Sequence, residues 1–520
     1  MVDANGRTPR GPAYCHVMVA SPSSDRTAKL SMIPRHRTAI NRNALSKPLR
    51  CAIGDGILAP GLTLLDYGCG RGSDVARLGK VGFSCAGWDP QFAPKTSLEP
   101  ADVVNLGYVV NVIENDTERR DALSRAWGLT QRTLIVTARL KFEELGQDLK
   151  PFADGYLTTR GTFQKFFDHS ELRDWIVETL EIDAVAAAPG VFYVFRENAA
   201  REWFLANRQR RQSGALRPTS AERLFDEHRR LFDDILPFFS ARGRLPSVRE
   251  CPAARELYAA VPRIDTILRA LSRAVGRDDF DRIVLERRQD LLVYLALARL
   301  AKRPRLQKLP EDLQLDIRSL FQSYEAACSE ADKLLFAVGN SAALAASFNE
   351  ATIGKLTGGA LYVHLSAVSR LPTLLRLYEG CARGYAGTVE GATIAKLHRW
   401  KPQVSYLAYP RFDVDPHPAL AGSFIVDLQY LSIRHIDYTA SVDPPVLHRK
   451  ELFVDHSYPR HRLFAKLTAD EDRRGLLRDS ASIGSRNAWQ RVLDAHRLRL
   501  RGHQLVRWRD ARSGQGSVTG

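Results

Sequence analysis

The sequence predicts an α/β chain in three parts: a doubly wound domain, a helical domain and a mixed α+β C-terminal domain. Three observations carry this. An apolar run, Leu62–Leu65, leads through Asp66 into a glycine-rich turn, Gly68-Cys69-Gly70-Arg71-Gly72, that opens a helix near Ser73. Further apolar runs up to Arg196 are spaced as strands alternating with helices. Beyond Arg196 apolar residues recur at three and four positions, as in RIVLERRQDLLVYLALARLA, and from Gly358 short strands and proline turns return.

In the first element, Leu62, Leu64 and Leu65 read as a strand buried on both faces and ended by Asp66. Gly68, Gly70 and Gly72 permit the sharp turn, because glycine tolerates positive φ and lets a ligand approach the backbone. The turn lacks the Gly-Lys-Ser/Thr ending of a phosphate-cradling Walker loop. Ser84–Pro90, SCAGWDP, reads as a second strand with Asp89 at its end, 23 residues after Asp66. A carboxylate near that spacing suits a ribose diol, a geometry that NAD satisfies as well. The pattern DxGxGxG with an acid ending the second strand resembles the first motif of class I S-adenosylmethionine-dependent methyltransferases. That resemblance makes Asp66, Gly68, Cys69, Gly70, Gly72 and Asp89 the candidate cofactor-binding residues. The plain alternative is a glycine turn with no ligand. Upstream, the basic stretch RHRTAINRNALSKPLRCAI from Arg35 leads into a helix beside the sheet and could close over the cofactor; its plain alternative is a solvated helix.

The later elements suit the same Rossmann-like reading. Ala101–Val110 reads as a fourth apolar strand and Thr133–Leu140 as a fifth, while Ile182–Arg196 reads as two strands joined at Pro189-Gly190. Ser170–Thr179 is predicted as a helix capped by Ser170, with Glu171 in its first turn. A sheet closed by a terminal β-hairpin favours the methyltransferase arrangement over an oxidoreductase one. Helices are predicted at Glu202–Gln212, Ser220–Ser240, Ala253–Ala260, Ile264–Val275, Asp278–Leu300 and Leu313–Leu335. A strand at Ala360–His364, a helix at Leu371–Ala386 and strands at Val404–Ala408 and Phe424–Leu428 follow. The expected division is a disordered leader at 1–34, the methyltransferase-like domain at 35–200, the helical domain at 201–355 and the basic mixed domain at 356–520.

The 520-residue chain is 44% hydrophobic, enough for a core in each part, and no apolar run approaches the ~20 residues that span a bilayer. A cytoplasmic location is the expectation. Seven scattered cysteines form no CxxC pair, so neither a disulfide framework nor a metal site is expected. The net charge of +16 is gathered at the ends: residues 1–50 carry +7 and residues 448–512 carry +8. Such ends form a polyanion-binding surface if they meet in the fold, which points to DNA as a partner. Arginine binds phosphate bidentately, although an arginine-rich composition also follows from genomic base bias.

A methyl donor's sulfonium is already reactive, so the protein's task is to align an acceptor with it and exclude water. Enzymes that methylate exocyclic amines carry Asn/Asp-Pro-Pro-aromatic at the end of the fourth strand, where the aromatic stacks on a flipped base. Here that place reads Asn105-Leu106-Gly107-Tyr108, with the polar and aromatic ends but without the prolines. Asn105 and Tyr108 are therefore the candidate catalytic residues; alternatively, Asn105 lines the donor pocket and Tyr108 is a packed aromatic. Asn111–Glu114, NVIE, stands where small-molecule methyltransferases carry a His-containing segment. Asp443-Pro444-Pro445-Val446 has the prolines without the aromatic and reads as a turn.

The strings LDYGCGRGSDV, GWDP, ADVVNLGYVVNVIE and APGVFYVFR, with YEGCARGYAG, KLHRWKPQVSYLAYP, DPHPAL and PPVLHRKELFV further on, resemble the bacterial DNA phosphorothioation-associated methyltransferase family over residues 33–480. The resemblance implies a methyltransferase-like domain with S-adenosyl-L-methionine as cofactor, in the context of a DNA phosphorothioation system whose proteins are candidate partners. The donor motif and the charge at the two ends make DNA the expected methyl acceptor in a phosphorothioation-linked modification or defence system. RNA or small-molecule methylation, or a non-catalytic DNA-binding or regulatory component that retains the fold, are the alternatives.

Overall fold

Of the 520 residues, the computed structural model describes 33–144, 146, 148–211, 216–219, 222–479 and 483–508. The leader predicted at 1–34 falls almost wholly outside the described residues. Strand β1 (Thr63–Tyr67) forms at the apolar run and ends one residue beyond Asp66. It pairs in parallel with β2 (Ser84–Trp88) on one side and β3 (Ala101–Gly107) on the other. Strand β4 (Thr130–Thr137) extends the parallel set, and the antiparallel hairpin of β8 (Ala184–Ala188) and β9 (Val191–Phe195) completes the order β2-β1-β3-β4-β9-β8. The hairpin turns at Pro189-Gly190 as the sequence predicts, with Gly190 at φ 75°. Ala101–Gly107 is the third strand in chain order, not the fourth, because Pro90, Pro94 and Pro100 punctuate the segment after β2 and remove ladder donors there.

Alternate residues of these strands feed two cores. Leu65, Val104, Leu134 and Val136 pack under α3 (Asp116–Gly128) and α4 (His169–Leu180). Leu64, Val103 and Ile135 face α1 (Lys47–Gly54), α2 (Ser73–Lys80) and α5 (Asn198–Gln209) through Leu49, Leu78 and Phe204. Two buried faces explain why β1 and β4 read as apolar runs rather than alternating ones. Helix α4 starts before its predicted cap: Asp168 precedes it, and Glu171 Oε2 accepts from the Asp168 N–H at 3.1 Å. Between β4 and α4 lies a small antiparallel sheet that no sequence pattern predicts, β5 (Leu149–Phe152), β6 (Gly155–Thr158) and β7 (Phe163–Gln164). It seals Arg119 of α3, whose guanidinium donates to Ile113 O and forks onto Asp154 at 2.8 and 3.1 Å. Against the opposing cost of burial, that fork and the Lys165 ammonium, 3.0 Å from Asp154 Oδ2, together draw the Asp154 carboxyl down to about 2.

The helical stretch comprises α6 (Arg223–Glu227), α7 (Arg229–Arg242), α8 (Pro252–Ala260), α9 (Ile264–Val275), α10 (Arg277–Ala298), α11 (Glu311–Leu320), α12 (Tyr324–Val338) and α13 (Ser341–Glu350). The single helix predicted at Leu313–Leu335 is two, because Phe321 is extended and the Ser323 hydroxyl caps α12 by accepting from Ala326 N at 3.0 Å. Likewise the predicted Ser220–Ser240 helix is divided at His228. A second sheet follows, an antiparallel meander in the order β10 (Lys355–Leu356), β11 (Ala360–His364), β12 (Ile394–His398), β13 (Gln403–Ala408), β14 (Gly422–Asp427) and β15 (Ser432–Asp437). Helix α14 (Thr373–Ala386) packs on it through Leu375 and Tyr378. The last described elements are α15 (His461–Arg473), α16 (Arg486–Ala495) and the hairpin of β16 (Leu498–Leu500) and β17 (Leu505–Arg507).

Helix α14 fastens these parts together. Its Arg376 meets Asp290 of α10 at 2.8 Å, and Asp290 also accepts from the Arg211 N–H at 3.0 Å. At its C-terminus Tyr385 O lies 2.8 Å from His169 Nε2, and His169 Nδ1 accepts from Gly190 N. Gly387 then turns at φ 74°, ψ −164°, a region that only glycine occupies readily, while Thr388 N donates to Ala187 O of β8 at 2.6 Å. A Cβ on Gly387 would stand 2.3 Å from the carbonyl carbon of Ala187. Gly387→Ala therefore lowers the unfolding free energy by at least ~2 kcal/mol, from backbone strain plus an unavoidable clash. Gly384→Ala, on the same helix with open space around it, is neutral or stabilising by up to ~1 kcal/mol. Urea unfolding of both variants checks the pair; equal stability would contradict the tight docking of α14 on β8.

Candidate active site

Asp66, Gly68, Cys69, Gly70, Asp89 and Asn105 line a cavity of about 670 Å³ at the C-terminal ends of β1, β2 and β3, whereas Gly72 of the predicted set stands outside its lining. The parallel register sets Asp66 directly opposite Asn105 on β3 and opposite Gly87 on β2. Asn105 Nδ2 donates to Asp66 Oδ1 at 2.8 Å, and both residues are buried. Burial pushes the Asp66 carboxyl up to about 7, against the smaller opposing effect of Asn105. Asn105 Oδ1 is buried with no hydrogen-bond partner. The cavity floor thus holds a carboxyl poised near neutrality beside an unused carbonyl oxygen.

Gly68, Gly70 and Gly72 all have positive φ, at 86°, 54° and 70°. Gly68 N and Cys69 N both donate to Trp88 O, which pins the loop to the end of β2. A Cβ on Gly68 would lie 2.4 Å from Val109 Cγ2, so this glycine is needed for close packing as well as for φ. Gly72 immediately precedes α2. Cys69 lines the cavity as a thiol that burial pushes up to about 12, which makes it inert as a nucleophile. Asp89 follows β2 directly. Its Oδ2 accepts from Gly70 N at 3.0 Å and its Oδ1 from Gln91 N and Phe92 N at 2.8 and 2.9 Å. Three of the roughly four acceptor positions of this carboxylate are occupied by backbone.

The two candidate catalytic residues occupy different places. Asn105 lies inside β3, as the partner of Asp66 on the cavity floor, rather than at the strand end. Tyr108 follows the strand with φ 61°, an uncommon conformation for a residue with a side chain, and its N–H donates to Thr137 O. Its ring lines the cavity beneath the Arg42 guanidinium, 5.2 Å from the ring centroid. The NVIE segment supplies Glu114, which binds Arg35. Asp443 of the other proline segment accepts from Ser485 Oγ and Asn487 N at the start of α16, so it is a structural turn.

The basic segment that begins near Arg35 does lie over the pocket. Residues 33–46 cross the cavity as a strap clipped at both sides. On one side Arg35 forks onto Glu114 at 2.8 Å and also pairs with Glu118 of α3. On the other, Asp74 at the start of α2 accepts from Ser46 N at 3.0 Å and Arg77 donates to Arg42 O at 2.8 Å. Ala39 of the strap sits against Gly70, where a Cβ would meet it at 3.1 Å. No apolar periodicity marks this segment; its only signal in the sequence is charge, which does not reveal the acidic partners that clip it.

No family model and no curated protein matches the chain. Among solved structures, magnesium protoporphyrin IX methyltransferase from Synechocystis PCC 6803 with bound SAM is similar over 29% of this chain and 76% of its own, at 17% identity and a TM-score of 0.21. The 1,6-didemethyltoxoflavin-N1-methyltransferase of Burkholderia thailandensis, crystallised with S-adenosylhomocysteine, is similar over 32% and 79%, at 15% and 0.21. CalS10, an amino pentose methyltransferase from Micromonospora echinaspora with bound SAM, gives 29% and 88%, at 16% and 0.21. The Rossmann-like fold of residues 47–195 rests on this chain's own strand order and terminal hairpin. Among the described residues, no helix is long and apolar enough to cross a membrane.

Because folding raises the Asp66 pKa from 3.8 to about 7, the stability that Asp66 contributes is fully present below pH 4 and is lost as pH rises through 7. Asp66→Asn keeps an acceptor for Asn105 without the buried charge. At pH 8 this variant exceeds the native protein in stability by a few kcal/mol, since each tenfold change in proton affinity is worth ~1.4 kcal/mol, and the gap closes by pH 4. Parallel unfolding curves for the two proteins across this range would contradict the assignment.

Proposed function

We propose that this chain is an S-adenosyl-L-methionine-dependent methyltransferase that acts on DNA. The carrying observation is the cavity floor, where the Asp66 carboxyl and the unpartnered Asn105 Oδ1 converge beneath a loop of positive-φ glycines. A cationic ligand end suits that floor: it ionises Asp66 and gives Asn105 Oδ1 the donor it lacks. The donor's ammonium group fits there, and its sulfonium supplies an already activated methyl group. Asp89 accepts one ribose hydroxyl at its free position; accepting the second requires Gly70 N–H to let go. The strap excludes water from one side, with Ala39 seated on the glycine loop.

The acceptor half of the proposal rests on charge. The strap brings His36 and Arg42 to the cavity, with Arg42 over Tyr108, and the chain carries a net charge of +16. Not all of the basic excess is available: Arg35 is spent on Glu114 and Glu118, Arg50 on Glu390, and Lys47 donates to Pro189 O. Tyr108, which lines the cavity together with the rings of Tyr67, Trp88 and Phe92, is the one at the end of β3 on which a flipped base would stack. A role beside proteins of a DNA phosphorothioation system is part of the same proposal and rests on the sequence resemblance.

Methyl-tritiated donor incubated with the purified protein and duplex DNA, structured RNA or a pool of small metabolites tests both halves. The expected result is label in DNA, reduced to background by Gly70→Arg, whose side chain fills the space between loop and strap. Label in RNA or metabolites instead would overturn the acceptor. Donor binding without any formation of S-adenosylhomocysteine would favour the non-catalytic regulatory reading.

A further inference from the structure

Away from this cavity, three segments of the C-terminal part run side by side. Leu420 N donates to Pro445 O and Leu447 N to Pro418 O, while Val446 N donates to Gly484 O and Arg486 N to Pro444 O. This pairing brings His417, from the loop after β13, beside His448, with ring centroids 4.2 Å apart. Glu471 of α15 completes the cluster, 54 residues from His417 in sequence, with its Oε1 2.7 Å from His417 Nε2. All three side chains are buried: His417 is 4% exposed, Glu471 is fully enclosed and His448 is 7% exposed.

The backbone fixes how each imidazole is protonated. His417 Nδ1 lies 3.2 Å from Leu447 O and His448 Nε2 lies 2.8 Å from Ile483 O. A carbonyl only accepts, so both of these nitrogens carry hydrogen, and the opposite nitrogens, His417 Nε2 and His448 Nδ1, present lone pairs. His448 Nδ1 and Glu471 Oε2 are buried without any hydrogen-bond partner. Trp489, edge-on to both imidazoles at 4.8 and 4.7 Å, adds an unpartnered buried Nε1–H to the same cluster. One proton shared between Glu471 and His417 satisfies a single pair and leaves the other two acceptors unmet.

We propose that His417, His448 and Glu471 bind a divalent transition-metal ion, zinc by the chemistry of the donors, which clamps the C-terminal segments together. One ligand atom from each residue lies within 4.8 Å of the other two. Side-chain rotation brings these to the roughly 3.4 Å separations that tetrahedral ligands at ~2.1 Å require. Each histidine already donates its other nitrogen to a backbone carbonyl, the supporting contact that orients metal-bound imidazole. Two neutral nitrogens and one carboxylate are a donor set that matches zinc, and metal binding displaces the shared proton to solvent.

The full-length chain, stripped with a chelator, is titrated with Zn2+ and separately with Co2+. The expected results are one equivalent bound, intense visible Co2+ bands of a four- or five-coordinate site, and a rise in thermal midpoint with Zn2+. Glu471→Gln and His448→Gln weaken Zn2+ binding by more than tenfold, whereas His456→Gln, at an exposed imidazole that packs edge-on to half-buried His461, leaves it unchanged. Co2+ that keeps the weak spectrum of the hexa-aqua ion in the native protein would overturn the proposal without recourse to any variant. So would stoichiometric binding insensitive to Glu471→Gln. Neither outcome bears on methyl transfer.

Discussion

The hydrogen bond between Asp66 and Asn105 is the constraint around which the N-terminal part is organised. It joins adjacent parallel strands at the point where they open into the cavity, and it places a carboxyl where water scarcely reaches. A carboxyl held there ionises near neutral pH rather than near 4. The ligand-free protein is therefore less stable at neutral pH than it would be with an amide at this position. Such a cost is characteristic of residues placed for a ligand rather than for packing. The glycine loop, Asp89 and the strap all close on this one point.

The rest of the chain steadies the doubly wound sheet from its hairpin edge. Strand β8 receives the end of α14, whose other contacts reach α10 through Asp290 and the second sheet through Tyr378. His169 is the pivot: burial lowers its imidazole to about 4, which keeps it neutral, with Nδ1 free to accept from Gly190 and Nε2–H to donate to Tyr385 O. The Arg50–Glu390 fork, at 2.6 and 2.9 Å, adds a second tie next to the strap. The site is thus framed by distant parts of the sequence as well as by its own motif.

What the sequence made legible follows from periodicity and turn chemistry. The run to Asp66 and its glycines, the hairpin at Pro189-Gly190 and the strand Ala360–His364 stand where their patterns place them, because each combines an apolar run with a strong breaker. Patterns without such breakers were less readable: Leu313–Leu335 hid the extended break at Phe321–Ser323 inside continuous helical spacing. The small sheet β5–β7 has neither alternation nor length, and β15, SIRHID, is a largely exposed edge strand of mixed polarity. The His417–His448–Glu471 cluster escaped because its members have no motif spacing and come together only through irregular backbone pairing. Cysteine spacing, the usual pointer to a metal, gives no hint of it.

If the Asp66 floor receives a cationic donor, proton release on binding shows it most directly. Calorimetric titration of the protein with S-adenosylmethionine at about pH 6.5, in two buffers of different ionisation enthalpy, reads the protons lost as Asp66 ionises. The expected result is binding with a fraction of a proton released in the native protein, and weaker binding without release in Asp66→Asn. Absence of binding, or binding in which native protein and variant behave alike, would contradict it.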